Sequence, residues 1–207
     1  MLVLDCSADG QILVSGGKDN TVRVWSPIEG IPGKWACVAI GEGHTESVGA
    51  LAISRKAGVT MPSFLVTGSQ DRTIKLWDLT GTPGSADVDK VSPRKLPSLV
   101  TQKAHEKDIN SLDIAPNDRL LATGSQDKTA KVFEIQHHKG SRASLKLLGT
   151  LKGHKRGIWS VKFSKTEKVI ATASGDKSVK LWTLEDYACI KVCKARLCAV
   201  PTQLTVT

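Results

Sequence analysis

Apolar and polar positions alternate along much of this chain. In Ser47–Ser54 (SVGALAIS) the character changes at nearly every step. In Thr73–Trp77 (TIKLW), Ile74 and Leu76 fall in one phase and Lys75 and Trp77 in the other. Ile109–Ile114 and Ile158–Phe163 occupy the place that matches Val48–Ile53. Short period-two runs rich in Val, Ile, Thr and aromatics predict half-buried β-strands. No stretch carries the 3.6-residue period of an amphipathic helix, so the predicted class is all-β.

The strands come in repeated units. LLATGSQDKTAKVFEI (Leu120–Ile135) has three counterparts: LVSGGKDNTVRVWSP from Leu13, LVTGSQDRTIKLWDL from Leu65 and IATASGDKSVKLWTL from Ile170. Each has an apolar strand, a run of small residues, an aspartate, a second strand and an aromatic six residues past the aspartate. The aspartates are Asp19, Asp71, Asp127 and Asp176, spaced 52, 56 and 49 residues apart; the aromatics are Trp25, Trp77, Phe133 and Trp182. Aspartate tolerates turn geometry and bonds its own backbone, so these are tight hairpin turns. Gly43-His44, Ala104-His105 and Gly153-His154 open the second, third and fourth units; the first has no such pair.

Periods of about 40–45 residues mark four-stranded propeller blades. The predicted blades are 1–40, 44–102, 105–151 and 154–191, in an incomplete ring, with an irregular divergent tail over 192–207. The excess length is assigned to insertions at Arg55–Pro62, Thr80–Pro97 and Gln136–Ser144, the second of them rich in Pro, Gly and Ser.

Composition adds a charge asymmetry. The formal net charge is +9. Residues 1–104 hold 11 Lys/Arg against 10 Asp/Glu, and residues 105–207 hold 18 against 10. Gln136–Thr166 has no acidic residue. Such a segment attracts polyanions, and phosphate contacts would make binding salt-sensitive. Lys139, Arg142, Lys146, Lys152, Lys155 and Arg156 are the candidate RNA contacts; the alternative is a solvated basic face. Five cysteines with no C-x-x-C pair read as reduced thiols in an intracellular compartment without a zinc site. No apolar run approaches the ~18 residues of a membrane span, and the N-terminus lacks the features of a secretory signal.

The Gly-His pair, the Ser/Thr-x3-Asp spacing and the later aromatic resemble the WD-repeat family of β-propellers over residues 1–191. The resemblance implies a buried hydrogen-bonded relay in each blade. Carried over by position, it holds His44, Thr67, Asp71 and Trp77 in blade two, and His154, Thr172, Asp176 and Trp182 in blade four. Blade three has His105, Thr123 and Asp127, with Phe133 in place of the indole donor. Blade one has Ser15, Asp19 and Trp25 without a histidine. Buried polar groups need partners, so Phe133 is expected to leave Thr123 one partner short, at about 1 kcal/mol.

The strings HEKDIN (His105–Asn110), APNDRLLATGSQDKTAK (Ala115–Lys131), GHKRGIWSVKFS (Gly153–Ser164) and FLVTGSQDRTIKLW (Phe64–Trp77) resemble WD-repeat subunits of the small-subunit processome. That implies a non-enzymatic scaffold in pre-ribosomal RNA processing. Its expected partners are other processome proteins, with contact to pre-ribosomal or small nucleolar RNA. Its expected place is the nucleolus, with no cofactor, membrane or small-molecule substrate. The alternative is a WD-repeat adaptor for protein or peptide partners.

Other chemistry finds less support. A histidine, aspartate and threonine trio suggests a hydrolase, but its recurrence in three blades points to a structural role. His137-His138 beside Lys139 reads as loop surface rather than a metal site. No phosphate-binding G-x-x-x-x-G-K-[ST] is present. The W-D-x-R stretch of ubiquitin-ligase adaptors is absent, since Trp77-Asp78 is followed by Leu79 and Thr80.

Overall fold

The chain folds as four antiparallel sheets, one per repeat, and holds no helix among its described residues. The computed structural model describes residues 2–54, 62–83, 92–137 and 143–194. Blade one contains β1 (Val3–Cys6), β2 (Leu13–Gly16), β3 (Val22–Pro27) and β4 (Trp35–Gly41). Blade two contains β5 (Val48–Ile53), β6 (Phe64–Ser69), β7 (Thr73–Asp78) and, after the short β8 (Arg94–Lys95), β9 (Ser98–Lys103). Blade three holds β10 (Ile109–Ile114), β11 (Leu120–Ser125), β12 (Thr129–Gln136) and β13 (Ser144–Lys152). Blade four holds β14 (Ile158–Phe163), β15 (Val169–Ser174), β16 (Ser178–Thr183) and β17 (Cys189–Lys194). Together they form an incomplete WD β-propeller.

Three observations differ from the sequence expectation. β17 continues to Lys194, past the expected blade limit at residue 191, because Val192 and Cys193 pair with Lys180 and Val179 through backbone bonds that need no repeat motif. The 80–97 insertion is not all loop. Its β8 adds in parallel to β4, with Ala39 opposite Arg94, so blade one gains a fifth strand. Leu96 follows it into the core of blade one, and Ser26 Oγ donates to the Pro83 carbonyl. Finally, the inner strands are not half-buried. All six residues of β6 are buried, as are Lys75 and Trp77 on β7. A blade between two others is covered on both faces, which removes the polar face that alternation would mark. The insertions at Arg55–Pro62 and Gln136–Ser144 fall largely outside the described residues, as does the tail from residue 195.

Close approach between blades depends on one glycine per junction. Gly16, Gly68 and Gly124 each follow the relay Ser/Thr and face the first strand of the next blade. A Cβ on Gly68 would lie 2.7 Å from Ile109 Cγ2. On Gly124 it would lie 2.8 Å from Ile158 Cγ2 and 2.9 Å from Val161 Cγ1. The same position in blade four carries Ala173. Among the described residues no further sheet lies against that side, and exposure differs there. Val22, Ile74 and Ala130 are 0% exposed, whereas Val179 in the matching place is 40% exposed.

Polar contacts reinforce the junctions. The backbone N–H of Ile53 donates to Asp5, and those of Val161 and Phe163 donate to Ser111 Oγ and Asp113. Asn110 donates to the Ile158 carbonyl at 2.8 Å. The four described cysteines are free thiols.

Candidate functional site

The hairpin between the second and third strands of each blade builds the relay. In blade two Asp71 closes the turn: its Oδ1 accepts from the Thr73 N–H at 2.8 Å and the Thr73 hydroxyl at 2.6 Å. The next residue, Arg72, takes a left-handed φ of 71°; Asn20, Lys128 and Lys177 do the same in the other blades. The free oxygen, Asp71 Oδ2, accepts from His44 Nδ1 at 2.7 Å and from the Thr45 N–H at 3.1 Å. A carboxylate only accepts, so Nδ1 carries the ring proton and Nε2 is left as an acceptor. The Thr67 hydroxyl donates to Nε2 at 2.8 Å, and Trp77 Nε1 donates to Thr67 Oγ1 at 2.8 Å. Four side chains thus satisfy one another in a place closed to water: Thr67 is 0% and Trp77 1% exposed.

Burial holds the His44 pKa below the ordinary 6.5, against the raising pull of Asp71, so the ring stays neutral. Burial pushes the Asp71 carboxyl up, but hydrogen bonds from Thr73 and His44 outweigh it and the net shift is downward.

Blade four repeats the arrangement. His154 joins Asp176 at 2.9 Å and Thr172 at 2.8 Å, and Trp182 donates to Thr172 at 2.8 Å. Blade three has His105 with Asp127 at 2.9 Å and Thr123 at 2.7 Å. Phe133 is buried in the aromatic slot and donates nothing. The Lys131 carbonyl also lies 3.3 Å from the Thr123 hydroxyl, but the single hydroxyl proton goes to His105 Nε2 at 2.7 Å, so that oxygen does not replace the indole donor. What it lacks is a donor to its lone pair. Asp127 and Asp176 are both held below the usual carboxylate range; burial opposes the shift, and donors from the histidine and the turn residue at 129 or 178 prevail.

Blade one brings Trp25 Nε1 to Ser15 Oγ at 2.9 Å, but Asp19 points to solvent. Its Oδ2 accepts from Arg23 Nη2 at 2.9 Å and its Oδ1 from the Thr21 hydroxyl at 2.9 Å. The Thr21 hydroxyl lowers its pKa most; burial opposes the shift, and the Thr21 N–H and then Arg23 add to the lowering.

The arrangement does not resemble a hydrolytic site. Thr67, Thr123 and Thr172 are each at most 1% exposed, so none of these three hydroxyls reaches solvent. Among the described residues no group of three or more His, Cys, Asp or Glu is placed to hold a metal ion. His137 packs its ring on Phe64 of blade two, with centroids 5.3 Å apart.

The basic run divides. Lys139 and Arg142 lie outside the described residues. Lys146 sits on β13 opposite Glu134, an acidic neighbour across the strand. Lys152, Lys155 and Arg156 are exposed on the connection into blade four, on the relay side of the disc. The Ser174 hydroxyl and the Gly175 N–H bond this connection to the β15–β16 turn. Sequence reasoning missed the basic turn residues Arg72, Lys128 and Lys177. They follow the relay aspartates, are exposed and lie on this same side. The signal was available, as the residue after each aspartate in blades two to four is Arg or Lys.

Four-stranded blades, each closed by an aspartate turn and three of them by a histidine seated on it, define a β-propeller built of WD repeats. The chain belongs to the WD domain, G-beta repeat family, matched at residues 2–26, 35–78, 97–134 and 145–183. It is 46% identical over 136 residues to Transducin beta-like protein 3 of Rattus norvegicus, and 47% over 139 residues to that of Homo sapiens. It is 38% identical over 134 residues to U3 small nucleolar RNA-associated protein 13 of Saccharomyces cerevisiae. Each match covers 65% of this chain and 16% of the relative, so the chain spans a minor part of their length.

Proposed function

We propose that this chain is a non-enzymatic scaffold segment of the small-subunit processome, a small nucleolar ribonucleoprotein that acts in pre-ribosomal RNA processing in the nucleolus. The observation that supports this most is its similarity to a yeast relative whose name associates it with U3 small nucleolar RNA. The geometry is compatible with a scaffold. The four side chains of the complete relays bond one another inside the blades, where they hold the turn to the incoming connection rather than act on a substrate.

Partners in this reading are other processome proteins, met on the blade faces. The RNA-facing surface is the relay side near blade four: Lys152, Lys155 and Arg156 extended by Lys128 and Lys177. Lys146 belongs to the rim and contributes less, because Glu134 offsets its charge.

The test has two arms. Tagged chain expressed in cells is expected to sediment with particles that contain U3 small nucleolar RNA and to leave them on RNase treatment. A free pool indifferent to RNase would overturn the processome reading. In filter binding, replacing Lys152, Lys155 and Arg156 by Glu is expected to weaken structured RNA and to lessen the salt slope by about one for each phosphate no longer neutralised. An unchanged slope would remove the RNA-contact surface.

A further inference from the structure

The insertion between β7 and β9 ends in Ser92-Pro93-Arg94-Lys95, just where it joins blade one as β8. The chain has three Ser/Thr-Pro pairs: Ser26-Pro27, Thr82-Pro83 and Ser92-Pro93. The fold closes two of them. Ser26 is 0% exposed and donates to the Pro83 carbonyl, and Thr82 is 5% exposed and accepts from Arg94. Ser92 and Pro93 are exposed. Ser92 alone also has a base three residues on, the exposed Lys95; Ser26 has Glu29 in that place and Thr82 has Ser85. We propose that Ser92 is a phosphorylation site for a proline-directed protein kinase, and that the phosphoserine binds Arg94 and fixes the insertion to blade one.

The backbone suits such an enzyme. Proline presses the residue before it into the extended region and has no N–H of its own. A groove for extended chain that offers no acceptor at the next position therefore admits Ser92-Pro93. β8 is the outermost strand of its sheet, so the edge that carries Lys95 is open. The reaction is a phosphoryl transfer. The Ser92 oxygen bonds to the γ-phosphorus of ATP as the bond to the β-phosphate oxygen breaks; ADP leaves, and the hydroxyl proton passes to the aspartate base of the kinase.

Arg94 supplies the seat. Its Nη2 donates to the Thr80 carbonyl at 3.1 Å and to Thr82 Oγ1 at 2.7 Å, which holds the guanidinium in place. Its Nε is buried with no partner among the described residues. A buried donor without an acceptor is costly, and an anion for a donor closed to water is best carried by the chain beside it. Ser92 lies two residues before Arg94. In extended chain that is one pleat repeat, about 6.6 Å, with both side chains on the same side. Phosphoserine brings about two negative charges and strong acceptor oxygens, and arginine–phosphate pairs are among the strong charge-assisted bonds. The attachment that gains by it is short. β8 pairs with β4 at Arg94 and Lys95, and the Leu96 N–H donates to the Ile40 carbonyl at 2.8 Å. Leu96 anchors the downstream end of this contact in the core, and the phosphate anchors the upstream end.

The test treats the whole folded chain with ATP and a cyclin-dependent kinase, a proline-directed enzyme that favours a base three residues on. Peptide mass spectrometry is expected to place a phosphate on Ser92, and Ser92→Ala to remove it. No phosphate on Ser92, or phosphate there only when the chain is first unfolded, would overturn the site. The seat is read separately. Phosphorylation is expected to slow hydrogen exchange of the Leu96 amide roughly tenfold, the effect of one charge-assisted bond on local opening. The phosphate charge slows exchange by itself as well, so phosphorylated Arg94→Gln, which keeps that charge and lacks the guanidinium, is expected to lose most of the effect. Equal slowing in Arg94→Gln, or none in the unmutated chain, would overturn the seat. A phosphorus resonance needs no variant: the phosphoserine of the folded chain is expected to titrate about one unit below the roughly 6 of a free one. A midpoint equal to that of the urea-unfolded chain would also overturn the seat.

Discussion

Replacing Trp77 by Phe isolates the contribution of the indole donor to the blade-two relay. The side chain is 1% exposed and donates at 2.8 Å to Thr67, itself 0% exposed. Loss of the bond leaves the threonine lone pair without a donor, at about 1 kcal/mol. The phenyl ring is smaller by roughly 40 Å³, and at about 24 cal/mol per Å³ of cavity that adds about 1 kcal/mol. The expected total is therefore about 2 kcal/mol. Guanidinium denaturation followed by far-ultraviolet circular dichroism reads it as a lower midpoint at unchanged slope. Two comparisons make the number diagnostic. Trp25→Phe, in a partly exposed slot, should cost about half as much, since less of the cavity is enclosed. The pair Trp77→Phe and Thr67→Val should couple by about 1 kcal/mol in a double-mutant cycle. A loss below about 0.5 kcal/mol for Trp77→Phe, or additive effects in the cycle, would refute the view that the indole completes the relay.

Two other outcomes follow from the same geometry. His44 has a folded pKa below 6.5 and Asp71 one below 3.8, so in each case the unfolded chain binds more protons between the two values. Stability should thus be complete above about pH 7, decline as pH falls below 6.5, and decline further below about pH 4; His44→Gln should flatten the first decline in a pH series of denaturation midpoints, and an unchanged profile would count against a buried neutral ring. At the blade junctions, Gly68→Ala and Gly124→Ala should each cost about 1–3 kcal/mol by overpacking. Ala173→Ser in this chain, with no further sheet against it among the described residues, should change the thermal midpoint little, and equal losses at all three would contradict the close-approach argument.

The architecture was legible because its determinants are local. Strand alternation, the aspartate turn and the Trp–Thr pair lie within one hairpin, with about ten residues between partners, and backbone chemistry decides them. The histidine, 18–23 residues ahead of its threonine, was assigned to the relay by the resemblance to the WD-repeat family, on the Gly-His or Ala-His pair that opens three of the blades. At Phe133 the sequence showed the missing donor correctly. It did not show the Lys131 carbonyl beside the Thr123 hydroxyl, since strand register places that oxygen.

By itself, then, the sequence determined the recurring strands and the turns, and through the family resemblance the residues of the relays. Tertiary structure decided what lies between blades. Only packing reveals why Gly68 must lack a Cβ, why Lys75 is buried beside Trp77, and why Leu96 belongs to the core of blade one. It also decided that Arg23 rests on Asp19 and that Lys128 and Lys177 share a face with Lys155 and Arg156. The contacts across blades join segments roughly 40–60 residues apart, and their energies depend on distance in space, which no local pattern of residues encodes.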